Sequence, residues 1–402
     1  MGRALRRTFV FLIDGLGYYQ LDSRHMPFLN DLIKENGRTI VIPPLGYSNA
    51  VHGSFWTGCQ PRTHGLWTYL YKSQSEATYG VFKYLFWDQV LERIHWALPV
   101  GEKFIMRRFF QLRGQTVPLN IPSRYLSQLS ARFTPIVLPS TQYDVPSIFD
   151  ICRREGVDFS FALNSEYGKD TVIYNSSQLP LKEGTLFNYV LLSVDGHFHH
   201  FGPSHPSSKE HMSKIDNFLK EFLSKISSTF HDYAYVIMSD HGLCPVQNRV
   251  DLHEVVLDST DPTDLLFFTD ATMTRFWYKS KHIQEKVETC LAGLPYGHVL
   301  NPEEKAKFGV DFKDDRFGQS IFLYEPGWMP STDSWGMSLG RGEPIAAVHG
   351  YDPYHELSQG FLTSNLELRA PKMEAMDLLP TLLDSWGMKI PEHIEGRTRL
   401  GD

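Results

Sequence analysis

Three stretches of this chain share one pattern, an apolar run that stops at a carboxylate. Thr8–Ile13 runs into Asp14-Gly15, Tyr189–Val194 into Asp195-Gly196, and Tyr233–Ser239 into Asp240-His241-Gly242. Near-continuous apolar runs of this length read as strands buried on both faces. Between and after them the period changes. Ser207–Ser227 carries Met212, Ile215, Phe218, Leu219, Phe222, Leu223 and Ile226 at steps of three and four, which predicts an amphipathic helix. Helices are also predicted at Met26–Lys34, at Val145–Glu155 and at Met373–Trp386, the last with a proline in its middle. Further strands are predicted at Thr39–Ile42 and Val157–Leu163. Strands alternating with helices predict an α/β fold, a central mostly parallel sheet sandwiched by helices. In such sheets ligands sit outside the carboxyl ends of the strands, where Asp14, Asp195 and Asp240 fall.

Two regions break the alternation. Residues 70–143 contain Tyr79–Leu98, with Phe82, Phe86, Val90 and Ile94 on one stripe, and the basic, aromatic Lys103–Arg113. They read as a helical cap insertion that packs on the body. A contact with a membrane surface is the less favoured reading. Residues 253–345, with strands at Thr274–Lys279 and Ser320–Glu325 around a helix at Ile283–Leu294, read as a small α+β subdomain with no assigned chemistry. The catalytic α/β core is then 1–69, 144–252 and 346–402.

Composition narrows the class. A net charge of -7 excludes a general binder of nucleic-acid polymers, whose footprint is basic. The cysteines, Cys59, Cys152, Cys244 and Cys290, are scattered and form no CxxC pair, so neither a disulfide framework nor a thiolate zinc site is expected. The apolar run near the N-terminus, Phe9–Ile13, is too short for a secretory or membrane segment, and the expected location is cytoplasmic.

The candidate chemistry lies at the strand ends. Asp195 and His199 are four apart, a spacing that lets one helical turn aim both at one point, although Asp195 taken alone also reads as an N-cap. Ser48 stands where an N-cap would, before a short apolar helix closed by Gly58, and a hydroxyl there feels the helix N-terminus. With Asp14, Asp240-His241 and His349 on a glycine turn, two Asp/His sets and a hydroxyl are enough for two divalent ions. Oxygen and nitrogen donors without thiolates suit zinc, with manganese or magnesium less suited to so many histidines. His52, His64, His197, His200 and His355 read as supporting or structural histidines.

In this order the motifs resemble the alkaline phosphatase superfamily, and most closely its type I phosphodiesterase/nucleotide pyrophosphatase branch. The matching pieces are Asp14-Gly15, Ser48–Gly58 running into Pro61-Arg-Thr-His-Gly65, Asp195-x-x-x-His199 with Phe201-Gly-Pro203, Ser239–Gly242, His349–Asp352, Met376–Leu383 and Ile394–Arg397. The resemblance implies that Asp195, His199 and His349 hold one metal, and that Asp14, Asp240 and His241 hold the other together with the nucleophile, Ser48. It further implies a two-metal hydrolase that cleaves a phosphodiester or pyrophosphate bond through a phosphoseryl intermediate. Where the branch has an Asn that holds phosphoryl oxygens, this chain has Tyr69, so Tyr69 and Asn49 are the candidate substrate-binding residues. The expected substrate is a small-molecule phosphoester with an apolar or aromatic portion. The alternatives are a phosphomonoesterase, a phosphoglycerate-mutase-like isomerase, and a non-catalytic metal-binding homologue. Cys59-Gln-Pro-Arg62 superficially resembles a sulfatase signature, but its arginine comes one residue early and that reading is rejected.

Overall fold

The computed structural model of the chain describes residues 6–73, 128–131, 139, 141–163, 184–252, 255–256, 260–261, 264–331 and 345–401. The strands of its two main sheets are β1 (Arg7–Asp14), β2 (Thr39–Ile42), β3 (Phe159–Leu163), β4 (Phe187–Ser193), β5 (Tyr233–Met238), β6 (Leu265–Asp270), β7 (Met273–Tyr278), β8 (Gly297–Val299), β9 (Ser320–Tyr324), β10 (Gly360–Ser364) and β11 (Lys372–Glu374). The helices that matter here are α1 (Pro27–Asn36), α2 (Ser48–Thr57), α3 (Pro61–His64), α4 (Ile148–Glu155), α5 (Asp195–Phe201), α6 (Pro206–Thr229) and α7 (Leu378–Ser385).

The central sheet has the order β11-β2-β10-β5-β1-β4-β3. β10 runs antiparallel to both of its neighbours, and every other pairing is parallel. The alternate residues of its middle strands face two separate cores, which is why those strands are apolar throughout. Val10, Leu12, Tyr189, Leu191, Val236 and Met238 pack with Phe55 and Trp56 of α2, Phe149 of α4 and the leucines of α7. Phe9, Phe11, Ile13, Val190, Leu192 and Ile237 pack with Met212, Phe218, Phe222 and Ile226 of α6 and Leu29 of α1.

Register places the chemistry. β1 lies between β4 and β5, with Asp14 opposite Ser193 and Leu12 opposite Met238. Asp195 and Asp240 each follow two residues past those partners, so three carboxylates reach one sheet edge. Crossovers through helices force this parallel arrangement.

Three expectations change. The expected closing helix over Met373–Trp386 is shorter. Lys372–Glu374 joins the sheet edge as β11, Ala375–Asp377 is a 3-10 turn, and α7 begins at Leu378. Pro380 therefore lies in the first turn of α7, where a missing N–H costs nothing, rather than in a helix middle. Ser48 is not an N-cap: Tyr47 occupies that position with extended backbone, and Ser48 is the first helical residue. Asp195 is likewise the first residue of α5, after Val194.

Residues 264–331 hold an antiparallel sheet of order β6-β7-β9-β8. Of the 70–143 region, Leu70–Lys72 pairs antiparallel with Leu129–Ala131, while the helices expected at Tyr79–Leu98 and Lys103–Arg113 lie outside the described residues. Among the described residues no helix is long and apolar enough to cross a membrane.

Candidate metal centre and active site

At the carboxyl edge of the sheet, Asp195 Oδ1 stands 3.2 Å from His199 Nε2 and 3.6 Å from His349 Nε2. Asp195 and His199 come from one turn of α5, and His349 arrives on the turn after a short strand, Ala347–Val348. His199 Nδ1 lies 2.8 Å from the Ala347 carbonyl. A carbonyl can only accept, so Nδ1 carries a hydrogen and Nε2 is the nitrogen turned toward the carboxylate. That contact needs a cation between nitrogen and carboxylate, a proton in the metal-free protein or a divalent ion when one is bound, and Asp195 Oδ1, though buried, has no aligned hydrogen bond among the described residues. This donor set fits a divalent ion.

The second cluster surrounds Ser48. Its Oγ is 3.0 Å from His241 Nε2 and 3.4 Å from Asp14 Oδ1, and His241 Nε2 is 3.5 Å from Asp14 Oδ1 and 3.3 Å from Asp240 Oδ2. Because Tyr47 is the cap residue, the Ser48 hydroxyl is not consumed by the helix end. The imidazoles of His241 and His349 stack at 3.8 Å, so the two clusters adjoin. Asp14, Asp195 and His241 also offer ligand atoms within 4.8 Å of one another, as do Asp14, His52 and Asp240.

Three carboxylates in one buried site repel one another, and the titration pattern reflects it. Burial, with the charges of Asp240 and Asp195, pushes the Asp14 carboxyl well above the carboxylate range, and Ser48 opposes this only in part. Burial also raises Asp195, but the charge and hydrogen bond of His199, with His349 and His241, outweigh it and hold that carboxyl low. Asp240 is held low in the same way, by His241 and His52 against its burial. For His199, burial is overcome by Asp195 and the ring is pushed up. His349 goes well down because burial and His241 outweigh Asp195. Protons and imidazolium charge thus take the place that cations suit.

The candidate substrate contacts differ from each other. Burial and the charges of Asp14, Asp195 and Asp270 raise the Tyr69 hydroxyl. Asn49 is fully buried and neither of its amide atoms has a hydrogen-bond partner among the described residues. Of the supporting histidines, His64 is buried 3.3 Å from Ser54 Oγ, His197 stacks on His211 at 4.0 Å, His200 is exposed, and His355 caps the Glu356–Ser358 turn. His52 reaches Asp240 directly, with Nε2 2.9 Å from Oδ2.

The hairpin between β6 and β7, to which sequence reasoning gave no chemistry, also touches the site. Tyr47 Oη donates to the Asp270 carbonyl, and Thr272 Oγ1 donates to the Gly350 carbonyl at 2.7 Å. Ala271 between them is the one non-glycine described residue at positive φ, 46°. A turn seated against both the residue before Ser48 and the residue after His349 accounts for a strained conformation that only tertiary contacts sustain. No local pattern announces this contact, since its partners lie 223 and 78 residues apart in the chain. His52, by contrast, has a signal in its position four residues after Ser48, on the same helix face.

Comparison with known proteins agrees with this geometry. No curated protein sequence matches the chain. Among solved structures, murine ectonucleotide pyrophosphatase/phosphodiesterase 5 is similar over 96% of both chains with a TM-score of 0.65 at 14% identity, both alone and as an inactive variant in complex with AMP. The human protein of the same description gives a TM-score of 0.64 at 14% identity over 97% of both chains. At that identity the likeness establishes the alkaline-phosphatase-like fold. The sequence profile of the type I phosphodiesterase/nucleotide pyrophosphatase family matches residues 8–352, and the chain belongs to that family of metal-dependent phosphoric ester hydrolases.

Proposed function

We propose that the protein cleaves a phosphodiester or pyrophosphate bond of a small molecule with Ser48 as nucleophile, passing through a phosphoseryl intermediate. The observation that carries this is the position of Ser48 Oγ, buried 3.0 Å from His241 Nε2 and 3.4 Å from Asp14 Oδ1 on the first residue of a helix. Asp195, His199 and His349 would hold one divalent ion, and Asp14, Asp240, His241 and Ser48 a second, with zinc the best match to the donors. When bound, such ions supply the lowered hydroxyl pKa and the charge neutralisation that phosphoryl transfer needs.

The chain's own residues do the rest. Ser48 Oγ attacks phosphorus in line, forming an O–P bond as the bond to the leaving oxygen breaks. The first N–H groups of α2 have no intrahelical partner and face the charge that develops on the nonbridging oxygens. Tyr69 and Asn49 are the proposed side-chain contacts to those oxygens. The leaving oxygen takes up the proton that Ser48 gives up; water then attacks the phosphoseryl group from the opposite side, its oxygen bonding to phosphorus as the Ser48 Oγ–P bond breaks and one of its protons returning to Oγ. The AMP complex of the murine relative supports a nucleotide as the substrate's phosphate-bearing portion. The division into a core, a cap at 70–143 and a subdomain at 253–345 belongs to the same proposal, as does a cytoplasmic location, which four free thiols support.

The test is a side-by-side assay of nitrophenyl phosphomonoesters and phosphodiesters on zinc-loaded wild-type and Ser48→Ala protein. The diester is the expected better substrate, with AMP a competitive inhibitor, and Ser48→Ala should abolish turnover while keeping its metal. A monoester turned over faster would favour a phosphomonoesterase. Unchanged activity of Ser48→Ala would overturn the nucleophile.

A further inference from the structure

We propose that His52 is a positioning residue for the second ion, acting through Asp240. The inference rests on the two-ion reading above. His52 lies one turn after Ser48 on α2, so the two side chains share a face of the helix. Both His52 and Asp240 are fully buried.

The Asp240 carboxylate has a neighbour in every direction, and the one toward His241 Nε2 is shared with the proposed ion. Oδ1 accepts the backbone N–H of Gly15 at 3.0 Å and that of His241 at 2.9 Å. Oδ2 faces His241 Nε2 at 3.3 Å and His52 Nε2 at 2.9 Å. His52 and His241 therefore compete for one oxygen, and their roles differ.

His52 Nδ1 is buried and has no hydrogen-bond partner among the described residues. A carboxylate only accepts, so a hydrogen belongs on Nε2, donated to Asp240 Oδ2. The other tautomer would bury an unpaired N–H and set two acceptors face to face, the costlier arrangement. A nitrogen that carries a hydrogen is not a metal ligand. His52 thus fixes the direction of the carboxylate that His241, Asp14 and Ser48 share. It also ties the helix that carries the nucleophile to the end of β5. Partners that orient a metal-ligating carboxylate in this way typically contribute about 10–100-fold to metal affinity.

The experiment titrates metal-free protein with zinc against a chromophoric chelator, with elemental analysis for stoichiometry. The proteins compared are wild type, His52→Phe, His52→Gln and Asp195→Asn. His52→Phe keeps an aromatic ring without a donor, and His52→Gln restores an N–H donor. The expected result is two ions in wild type, with one affinity weakened about 10–100-fold in His52→Phe and the other within about threefold, and a partial recovery in His52→Gln. Asp195→Asn should weaken the ion that His52→Phe leaves unchanged. Wild-type affinities for both ions in His52→Phe, equal weakening of both, or a His52→Gln protein no better than His52→Phe would each overturn the inference. A wild-type protein that binds no zinc would sink the two-ion reading itself, and this inference with it.

Discussion

Gly15→Ala is the substitution whose cost can be worked out most fully. Gly15 follows Asp14 at φ +83°, and a Cβ there would lie 2.8 Å from Asp195 Cα, 2.9 Å from its Cβ and 3.1 Å from its nitrogen. The backbone conformation alone costs an L-residue about 1–2 kcal/mol. Ordinary contacts begin at 3.4 Å, so the start of α5 must retreat by 3.4 − 2.8 = 0.6 Å. Overpacking of this kind adds about 1–3 kcal/mol, for a total loss of about 2–5 kcal/mol. The same retreat drags Asp195 away from Asp14 and His241, whose ligand atoms lie within 4.8 Å of its own. Misplacement of a catalytic constellation by about 1 Å costs on the order of 100-fold in rate, so kcat/KM should fall about 10–100-fold. Gly156→Ala separates the two effects, because Gly156 is also at positive φ, +67°, in the left-handed region with no atom within 4 Å of the added Cβ. It should lose stability from the backbone alone and keep its activity. The assay is thermal unfolding of both variants with kcat/KM for a nitrophenyl diester. A Gly15→Ala protein no less stable than Gly156→Ala, with wild-type kcat/KM, would refute the reasoning.

Three further expectations follow from the same site. Asp14 and His199 are the groups pushed up in the metal-free protein, and an ion displaces the protons that they hold, so zinc binding should release protons and tighten from pH 6 to pH 8. Calorimetry in buffers of different ionisation enthalpy reads this, and a pH-independent affinity would contradict it. Thr272→Val keeps the shape of Thr272 but strips the donor from the Gly350 carbonyl, 2.7 Å away, and should cost about 1–3 kcal/mol while weakening the ion held by His349. Unfolding and zinc titration measure the two effects, and a variant with wild-type zinc affinity would reduce the hairpin to packing. Zinc at about 100 times its Kd should stabilise the chelated protein by about 2.7 kcal/mol, measured as a rise in unfolding temperature. No rise would mean that the folded state binds no zinc more tightly than the unfolded chain does.

The strand ends are legible in the sequence because a strand buried on both faces has no reason to finish in Asp14, Asp195 or Asp240 unless something binds there. Parallel topology then gathers those ends without further information. Local detail is less legible. Whether Ser48 caps its helix or opens it turns on the backbone of Tyr47, which residue type does not decide. The Met373–Asp377 stretch has helical composition, yet pairing with β2 at the sheet edge claims Met373 and Glu374. The contacts of Asp270 and Thr272 with Tyr47 and Gly350 are products of long-range packing and leave no periodic trace. For His52 the sequence shows its place one turn after Ser48 on the same helix face, but not the carboxylate it faces, which long-range packing supplies.

The stereochemical course at phosphorus tests the central claim most directly. A chiral phosphorothioate diester hydrolysed in oxygen-18 water by the zinc-loaded protein should give product with net retention, because attack by Ser48 and attack by water each invert the centre once. Net inversion would mean that water attacks the substrate directly, and a phosphoseryl intermediate on Ser48 would be ruled out.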